Sequence, residues 1–279
     1  MKSYDNKLIA DLDAKANYLR RQSLTMIYQR QAGHPGGCLS AADIVAALYF
    51  NILRLDPQRP AWEDRDRFIL SKGHASALLY SALACRGYFT ESDLGHWGEL
   101  ACHLQGHPDR LKTPGVDMTS GILGHGIAIG LGLCLAARLQ KRDYHTYVLL
   151  GDGECQGGIV WEGINACSKF NPGNITAIVD YNDVQLDGAV HDIMPMEPFA
   201  DKWRSFRWEV IAIDGHDMRE ILSSLDEAKG MTQRPVVIIA RTVKGKGVSF
   251  MENKAHWHGI PPNKEQYEAA MAELAGEGK

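Results

Sequence analysis

Gly151-Asp152-Gly153 directly follows the apolar run 147–150, and thirty residues beyond Asp152 a second apolar run, 175–179, leads into Asp180-Tyr181-Asn182-Asp183. Two parallel strands joined by one helix place Asp152 and Asn182 at neighbouring C-terminal strand ends, where open α/β sheets bind ligands. The glycines flanking Asp152 let the backbone turn sharply and approach a ligand closely. A helix over 156–170 begins there and offers free N–H groups to a phosphate. A hard cation such as Mg²⁺ would take an Asp152 carboxylate oxygen, the Asn182 amide oxygen, a nearby backbone carbonyl such as that of Val184, and diphosphate oxygens. Either residue alone reads better as an ordinary Asp-Gly turn or a helix-capping Asn. Spacing and strand context together point to a metal and diphosphate site.

The elements that must position these residues alternate between strand and helix. Residues 6–31 form an amphipathic stretch, with Leu8, Leu12, Ala16, Leu19, Ser23 and Ile27 at helical spacing, that ends near Gly33-His34-Pro35-Gly36-Gly37. Ser40 is a suitable N-cap for an apolar helix over 41–53. Residues 67–70 read as a short strand, followed at once by Ser71-Lys72-Gly73-His74 and a helix over 75–85. Lys72 and His74 therefore sit at a strand-to-helix turn on the same sheet edge as Asp152. Residues 91–100 read as helical and 102–117 as irregular, the latter containing Gly106-His107-Pro108. Gly121-Ile122-Leu123-Gly124-His125-Gly126 opens a glycine- and alanine-rich helix to residue 139, suited to close helix packing or to a ligand. A strand over 209–213, a helix over 218–229, a strand over 236–240 and a terminal helix follow. No internal repeat or interdomain linker interrupts the pattern.

At 279 residues the chain can bury roughly three quarters of its unfolded surface. Hydrophobic content of 45% and charged content of 23% predict one globular α/β domain over 1–279, with an N-terminal helix and a C-terminal helical tail. A net charge of −4 without any basic block disfavours nucleic acid and anionic membrane surfaces as partners. The N-terminus lacks an apolar signal core, and no apolar run approaches the roughly twenty residues of a membrane span, so the cytoplasm is expected. The six cysteines form no CxxC pair and read as small reduced core residues, which disfavours a zinc site.

Six ordered motifs carry a family resemblance: GHPGG from Gly33, SKGHAS from Ser71, QGHPD from Gln105, GILGHG from Gly121, GDGECQGG from Gly151 through to the YND at Tyr181, and KGKG from Lys244 with the later WHG. Over roughly 10–260 the chain resembles the N-terminal, thiamine-diphosphate-binding module of transketolase, in the form found as a separate subunit of two-chain enzymes. The resemblance implies a thiamine-diphosphate-binding fold with a mostly parallel central sheet flanked by helices on both faces. It implies Asp152, Asn182 and the Val184 carbonyl as Mg²⁺ ligands. His74, Gly121, Leu123, Gly153, Lys244 and His258 would contact thiamine diphosphate, with Lys72 a further candidate near the diphosphate. His34, His107 and again His258 would face the sugar as catalytic groups. Such chemistry needs hydrogen-bond donors and proton relays around a ketose carbonyl, and the cofactor itself acts as electron sink.

A lone histidine after a strand is usually structural, and His96, His103, His145, His191, His216 and His256 are read that way. Asp214-Gly215-His216-Asp217 reads as a turn leading into a helix, and Lys72 or Lys244 alone would read as solvated surface lysines. Glu162 reads either as a buried interface carboxylate, as in the family, or as an exposed helix residue. Two departures stand out. Gly157 occupies a position where relatives often have Glu, which puts in doubt a carboxylate network linking two active sites. His125 stands where relatives often carry Gln, and either alters a cofactor-proximal hydrogen bond or contacts a neighbouring subunit.

The family's pyrimidine-binding module, which supplies the glutamate that activates the cofactor, is expected on a partner chain, in an assembly with two copies of each chain. Sugar phosphates are the expected substrates. Three functions compete: a transketolase subunit moving a two-carbon ketol unit from a ketose phosphate to an aldose phosphate; a component of another thiamine-diphosphate enzyme, such as a deoxyxylulose-phosphate synthase fragment or a 2-oxoacid dehydrogenase chain; and a non-catalytic cofactor-binding fragment. His34 and His107 favour the first.

Overall fold

Runs rich in β-branched and aliphatic residues form strands; in a parallel sheet the inner ones are covered on both faces, whereas the edge strand over 209–214 is only partly buried. In the computed structural model, which describes residues 4–276, five strands are present: β1 (Arg67–Leu70), β2 (Thr146–Gly151), β3 (Ile175–Tyr181), β4 (Glu209–Asp214) and β5 (Val236–Arg241). Residues 1–3 and 277–279, the extremities of the expected 1–279 domain, lie outside the described residues. The strands pair in the order β1-β2-β3-β5-β4, and every pairing is parallel.

The helices are α1 (Asn6–Arg30), α2 (Pro35–Ser40), α3 (Ala42–Ala47), α4 (Ser76–Arg86), α5 (Gly126–Gln140), α6 (Gly158–Phe170), α7 (Val190–Ile193), α8 (Phe199–Ser205), α9 (Met218–Gly230) and α10 (Lys264–Ala275). One core packs α1, α3, α4 and α9 against Phe68, Leu70, Tyr147, Leu149, Ile178 and Ile238. The intervening residues Ile69, Val148, Leu150, Val179, Val237 and Ile239 point the other way, into a second core with α5, α6 and α8. This is the period-2 alternation of a strand read on both of its faces, and it bears out the sheet flanked by helices on both sides. Leu24, Leu39, Val248, Met251, Trp257, Ala270 and Leu274 form a third cluster that ties α10 and the 245–258 segment to α1 and α2.

Three local expectations are corrected. Ser40 does not cap a helix at 41. Pro35, with its φ already set for a first helical position, starts α2 earlier, and the Ser40 hydroxyl instead donates to Asp180 at 2.6 Å. The helix expected over 91–100 is a 3₁₀ turn, Glu91–His96, closed by a Thr90/Asp93 capping box, and the left-handed Gly98 follows it. The helix expected from Gly121 begins at Gly126, because Gly121 (φ +150) and Gly124 (φ +90) hold a non-helical backbone that only glycine adopts cheaply. The helices α7 and α8 were not anticipated. For α8 the signal is present in the apolar i, i+4 pair Phe199 and Trp203, both buried.

Candidate active site

Gly151 pairs with Asp180 across β2 and β3, so the residues just past both strand ends share one edge of the sheet. There Asp152 is 2% exposed. Its carboxylate accepts the backbone N–H of Gly153 at 2.7 Å and that of Asp183 at 2.5 Å. Asn182 is buried beside it, and its amide oxygen accepts the Val184 N–H at 3.1 Å. The loop carrying Asn182 and Val184 is thus clamped to Asp152, as the spacing of the two motifs predicts.

Burial pushes the Asp152 carboxyl up to about 6, and the Asp180 carboxylate adds to the rise; the two backbone N–H groups and Lys244 oppose it. Among the described residues, the only hydrogen bonds given to this carboxylate are from those two backbone N–H groups. Carboxylate, amide and carbonyl oxygens are the donor types a hard divalent ion takes. Among the described residues no group of three or more His, Cys, Asp or Glu side chains could hold a metal. A cation here would need the neutral oxygens of Asn182 and Val184 and the oxygens of its ligand. The donor set therefore fits Mg²⁺ held jointly with a diphosphate.

Positive charge already borders this spot. The Lys244 ammonium donates to the Val184 carbonyl at 2.7 Å and meets His258 Nδ1 at 2.8 Å. Burial lowers Lys244 to about 8, helped by the nearby Lys72 ammonium and opposed by Asp152 and Asp180. Lys244 so joins the loop of Asn182 and Val184 to a cluster of imidazoles. The ring centroids of His34 and His74 lie 5.0 Å apart, those of His34 and His258 5.4 Å, and those of His74 and His258 5.2 Å. These rings come from the segment before α2, the turn after β1, and the far C-terminal part of the chain.

Burial holds all three imidazoles below their ordinary range. His258 falls to about 3, with Lys244 and His34 adding. His74 lies well below 6.5, with Lys72, His34 and His258 adding. His34 is lowered less, with His107 and Lys244 adding. Crowded in this way, the rings stay neutral, and each offers one N–H donor and one acceptor nitrogen. With Lys244 donating to Nδ1 of His258, Nε2 carries the proton.

The remaining expected residues border the same edge. A Cβ built on Gly121 would come within 3.7 Å of the His107 ring, and His107 also bears on His34. Leu123, two residues on from Gly121, is 45% exposed. Gly153 sits against Gln185, where a Cβ would meet the Gln185 side chain at 3.2 Å. Lys72 is placed differently from the others. It is 2% exposed and lies in the floor, donating to Asp180 at 2.5 Å and to the Gly37 carbonyl at 2.9 Å.

That floor contains groups that sequence reasoning misses. Asp180, fully buried, accepts from Lys72, Ser40, Thr242 and Asn182. Burial alone would raise its carboxyl, but Lys72 and the hydroxyl donors override this and lower it. Glu154 is also buried, and it accepts from Ser71, from Gly124 N–H at 2.7 Å and from Gly151 N–H at 3.0 Å. It thereby fixes the loop that carries Gly121 and Leu123. Asp180 is the one acid inside the apolar run of β3, and Glu154 lies three residues past the end of β2; neither position by itself names a partner.

The histidines read as structural lie apart from the cluster. His145 is buried against Thr176 at 2.9 Å, and burial lowers it to about 3. His216 joins Asp43 to the Val243 backbone. His96 pairs with Glu99, His103 stacks edgewise on Phe89, His191 pairs with Asp183, and His256 packs against Trp257. His125 is half-buried at the start of α5 with Nδ1 unpartnered. Gly157 opens α6, and both it and Glu162 are exposed. The cysteines are all free. No described helix is long and apolar enough to cross a membrane. Two cavities, of about 930 Å³ beside Arg65 and Tyr144 and about 820 Å³ beside Glu162, include none of the site residues.

Comparison with known proteins adds an independent line. The family described as "Transketolase, thiamine diphosphate binding domain" matches residues 12–277. The 6-deoxy-6-sulfo-D-fructose transketolase subunit SqwG of Clostridium sp. (strain MSTE9) is 41% identical over 268 residues, which cover 96% of this chain and 98% of that protein. An apulose-4-phosphate transketolase subunit of Phocaeicola vulgatus is 37% identical, with 96% and 95% covered. Among solved structures, transketolase from Campylobacter jejuni superposes with a TM-score of 0.91 at 35% identity, over 96% of this chain and 43% of that one. Pichia stipitis transketolase in complex with sedoheptulose 7-phosphate gives 0.89 at 31%, over 95% and 41%. The chain thus spans about two fifths of the solved transketolases it matches and nearly all of the curated subunits.

Proposed function

The chain belongs to the transketolase family through its thiamine-diphosphate-binding domain, and from that membership we propose that it is the cofactor-binding subunit of a two-chain transketolase. It would act with Mg²⁺ to move a two-carbon ketol unit between sugar phosphates. The partner would be a chain carrying the pyrimidine-binding module and its glutamate, assembled as two copies of each subunit. The names of the two subunit relatives, both similar over nearly their full length, support the partner. The six free cysteines support a reducing compartment, the cytoplasm.

Asp152, Asn182 and the Val184 carbonyl would hold the cation, and the cation with Gly153 would anchor the diphosphate. The bound thiazolium would supply the electron sink for breaking and making the carbon–carbon bond. Lys244 would neutralise diphosphate charge from beside Val184. The neutral rings of His34, His74 and His258, with His107 at the mouth, would donate to the carbonyl oxygen and hydroxyls of a sugar and take up or return its protons. Neutrality matters, because only an uncharged imidazole does both.

One observation carries the reading: Lys244 bridges the Val184 carbonyl and His258, so the metal loop and the histidine cluster form one continuous surface. The deciding experiment is a ketol-transfer assay with thiamine diphosphate and Mg²⁺, run on this chain alone and with its partner chain. Transfer only in the mixture is expected. Full transfer by the single chain would overturn the partner, and no transfer by either despite cofactor binding would favour a non-catalytic cofactor-binding fragment.

A further inference from the structure

Strand β5 ends at Arg241, opposite Asp214 of β4, and beyond it the backbone N–H groups of the segment leading to Lys244 need other acceptors. Thr242 N–H finds the Tyr181 carbonyl at 3.1 Å, and Gly245 N–H finds the Gly36 carbonyl at 3.1 Å. Val243 N–H is held by a side chain instead, at 2.8 Å from His216 Nε2. Because Nε2 accepts, the imidazole proton is on Nδ1, which meets Asp43 Oδ2 at 2.6 Å. Asp43 is in turn fixed by both terminal nitrogens of Arg20, at 3.0 and 2.5 Å. The Arg20, Asp43 and His216 side chains are 9%, 8% and 13% exposed. Arg20 adds a bond to the Leu39 carbonyl at 3.1 Å, so the relay is anchored in α1 and α2 at one end and in Val243 at the other.

Nothing in this relay touches the imidazole cluster or the Asp152 loop. Its last atom is nevertheless one peptide unit from Lys244, the residue that bridges them. We propose that His216 is a positioning residue: backed by Asp43 and Arg20, it holds the Val243 N–H and so sets where the Lys244 ammonium stands in the diphosphate site. Groups that orient metal ligands typically change affinity by about 10- to 100-fold when removed, and a group that orients Lys244 is expected to act at the low end of that range. The site consequence rests on the cofactor role proposed above, whereas the loop-holding part does not.

Two substitutions separate this role from a merely structural one. A Gln side chain reaches the place of the imidazole Nε2, so His216→Gln keeps an acceptor for Val243 and gives up Asp43. An Asn side chain reaches only the place of Nδ1, so His216→Asn keeps the bond to Asp43 and gives up Val243. Hydrogen exchange over 242–247 and thiamine diphosphate affinity in saturating Mg²⁺ are then measured on the full chain. Faster exchange and a roughly tenfold weaker affinity in His216→Asn, with His216→Gln close to the parent, are expected. Equal exchange in the two variants, or the reverse order, overturns the inference. If the exchange pattern appears but the parent chain binds no thiamine diphosphate, the loop-holding role stands and the cofactor reading falls.

Discussion

The Lys72 ammonium and the Asp180 carboxylate form an ion pair at 2.5 Å with side chains 2% and 0% exposed, directly under the loops that carry Asn182 and His74. Removing two charges from water is costly, and a pair this deep holds only because further hydrogen bonds satisfy both partners. Here the Gly37 carbonyl completes Lys72, while Ser40, Thr242 and Asn182 complete Asp180.

Breaking that pair from one side leaves a lone buried charge. Lys72→Met is expected to lower the stability of the chain by about 3–5 kcal/mol. Urea denaturation of parent and variant measures this, and a loss below about 1 kcal/mol would show that the pair contributes little.

Asp152 carries its charge against burial, so its effect on stability has a definite sign. Its folded value of about 6 lies above the ordinary 3.8. The unliganded chain therefore loses stability from this group as pH rises through that window, and the loss is complete above about 6. Relative to the parent, Asp152→Asn should gain about 2 kcal/mol between about pH 4.5 and about pH 7.5. The same variant should lose Mg²⁺-dependent binding of thiamine diphosphate, read by calorimetry. A difference between variant and parent that does not change with pH would contradict the assignment.

His145 has the opposite sign. Its folded value of about 3 lies below the ordinary 6.5, so its contribution is full above about 6.5 and is lost as pH falls toward 3. His145→Gln should make the acid decline of stability between about pH 6 and about pH 4.5 shallower by about 1 kcal/mol per pH unit. Parallel declines in parent and variant would rule out the buried neutral imidazole as a source.

Glu154 gathers three donors, from Ser71, Gly124 and Gly151. Glu154→Ala strands all three in the interior and should cost about 3 kcal/mol. Hydrogen exchange should accelerate at Gly124 more than in the strands. Uniform acceleration across the sheet would mean that Glu154 supports the fold at large and not this loop.

Much of this architecture was legible in the chain. Asp152 and Asn182 could be placed because each follows its own apolar run, and adjacency of β2 and β3 does the rest. His34, His74 and His258 were nominated by resemblance, and that their rings meet is a fact of three dimensions. The floor was not legible. Asp180 meets Lys72 over 108 residues, Ser40 over 140 and Thr242 over 62, and no local periodicity encodes such pairs. Lys72 illustrates the difficulty, since a lysine after a strand looks solvated until a partner for its charge is known. Ser40 failed for a related reason: its type suits a cap, but Pro35 had already begun the helix.

The strand order has a further consequence, for how the molecule comes into being. β5 is the last strand in sequence, yet it lies inside the sheet, between β3 and β4. Thr242 just beyond it closes on Asp180, and Lys244 and His258 follow. A nascent chain that has made β1 to β4 has most of its core material but still has a gap in the middle of its sheet, and neither the floor nor the imidazole cluster exists until that gap is filled. Long-range closures of this kind come late in folding. A ligand that grips this edge is therefore expected to bind only a molecule whose sheet is complete.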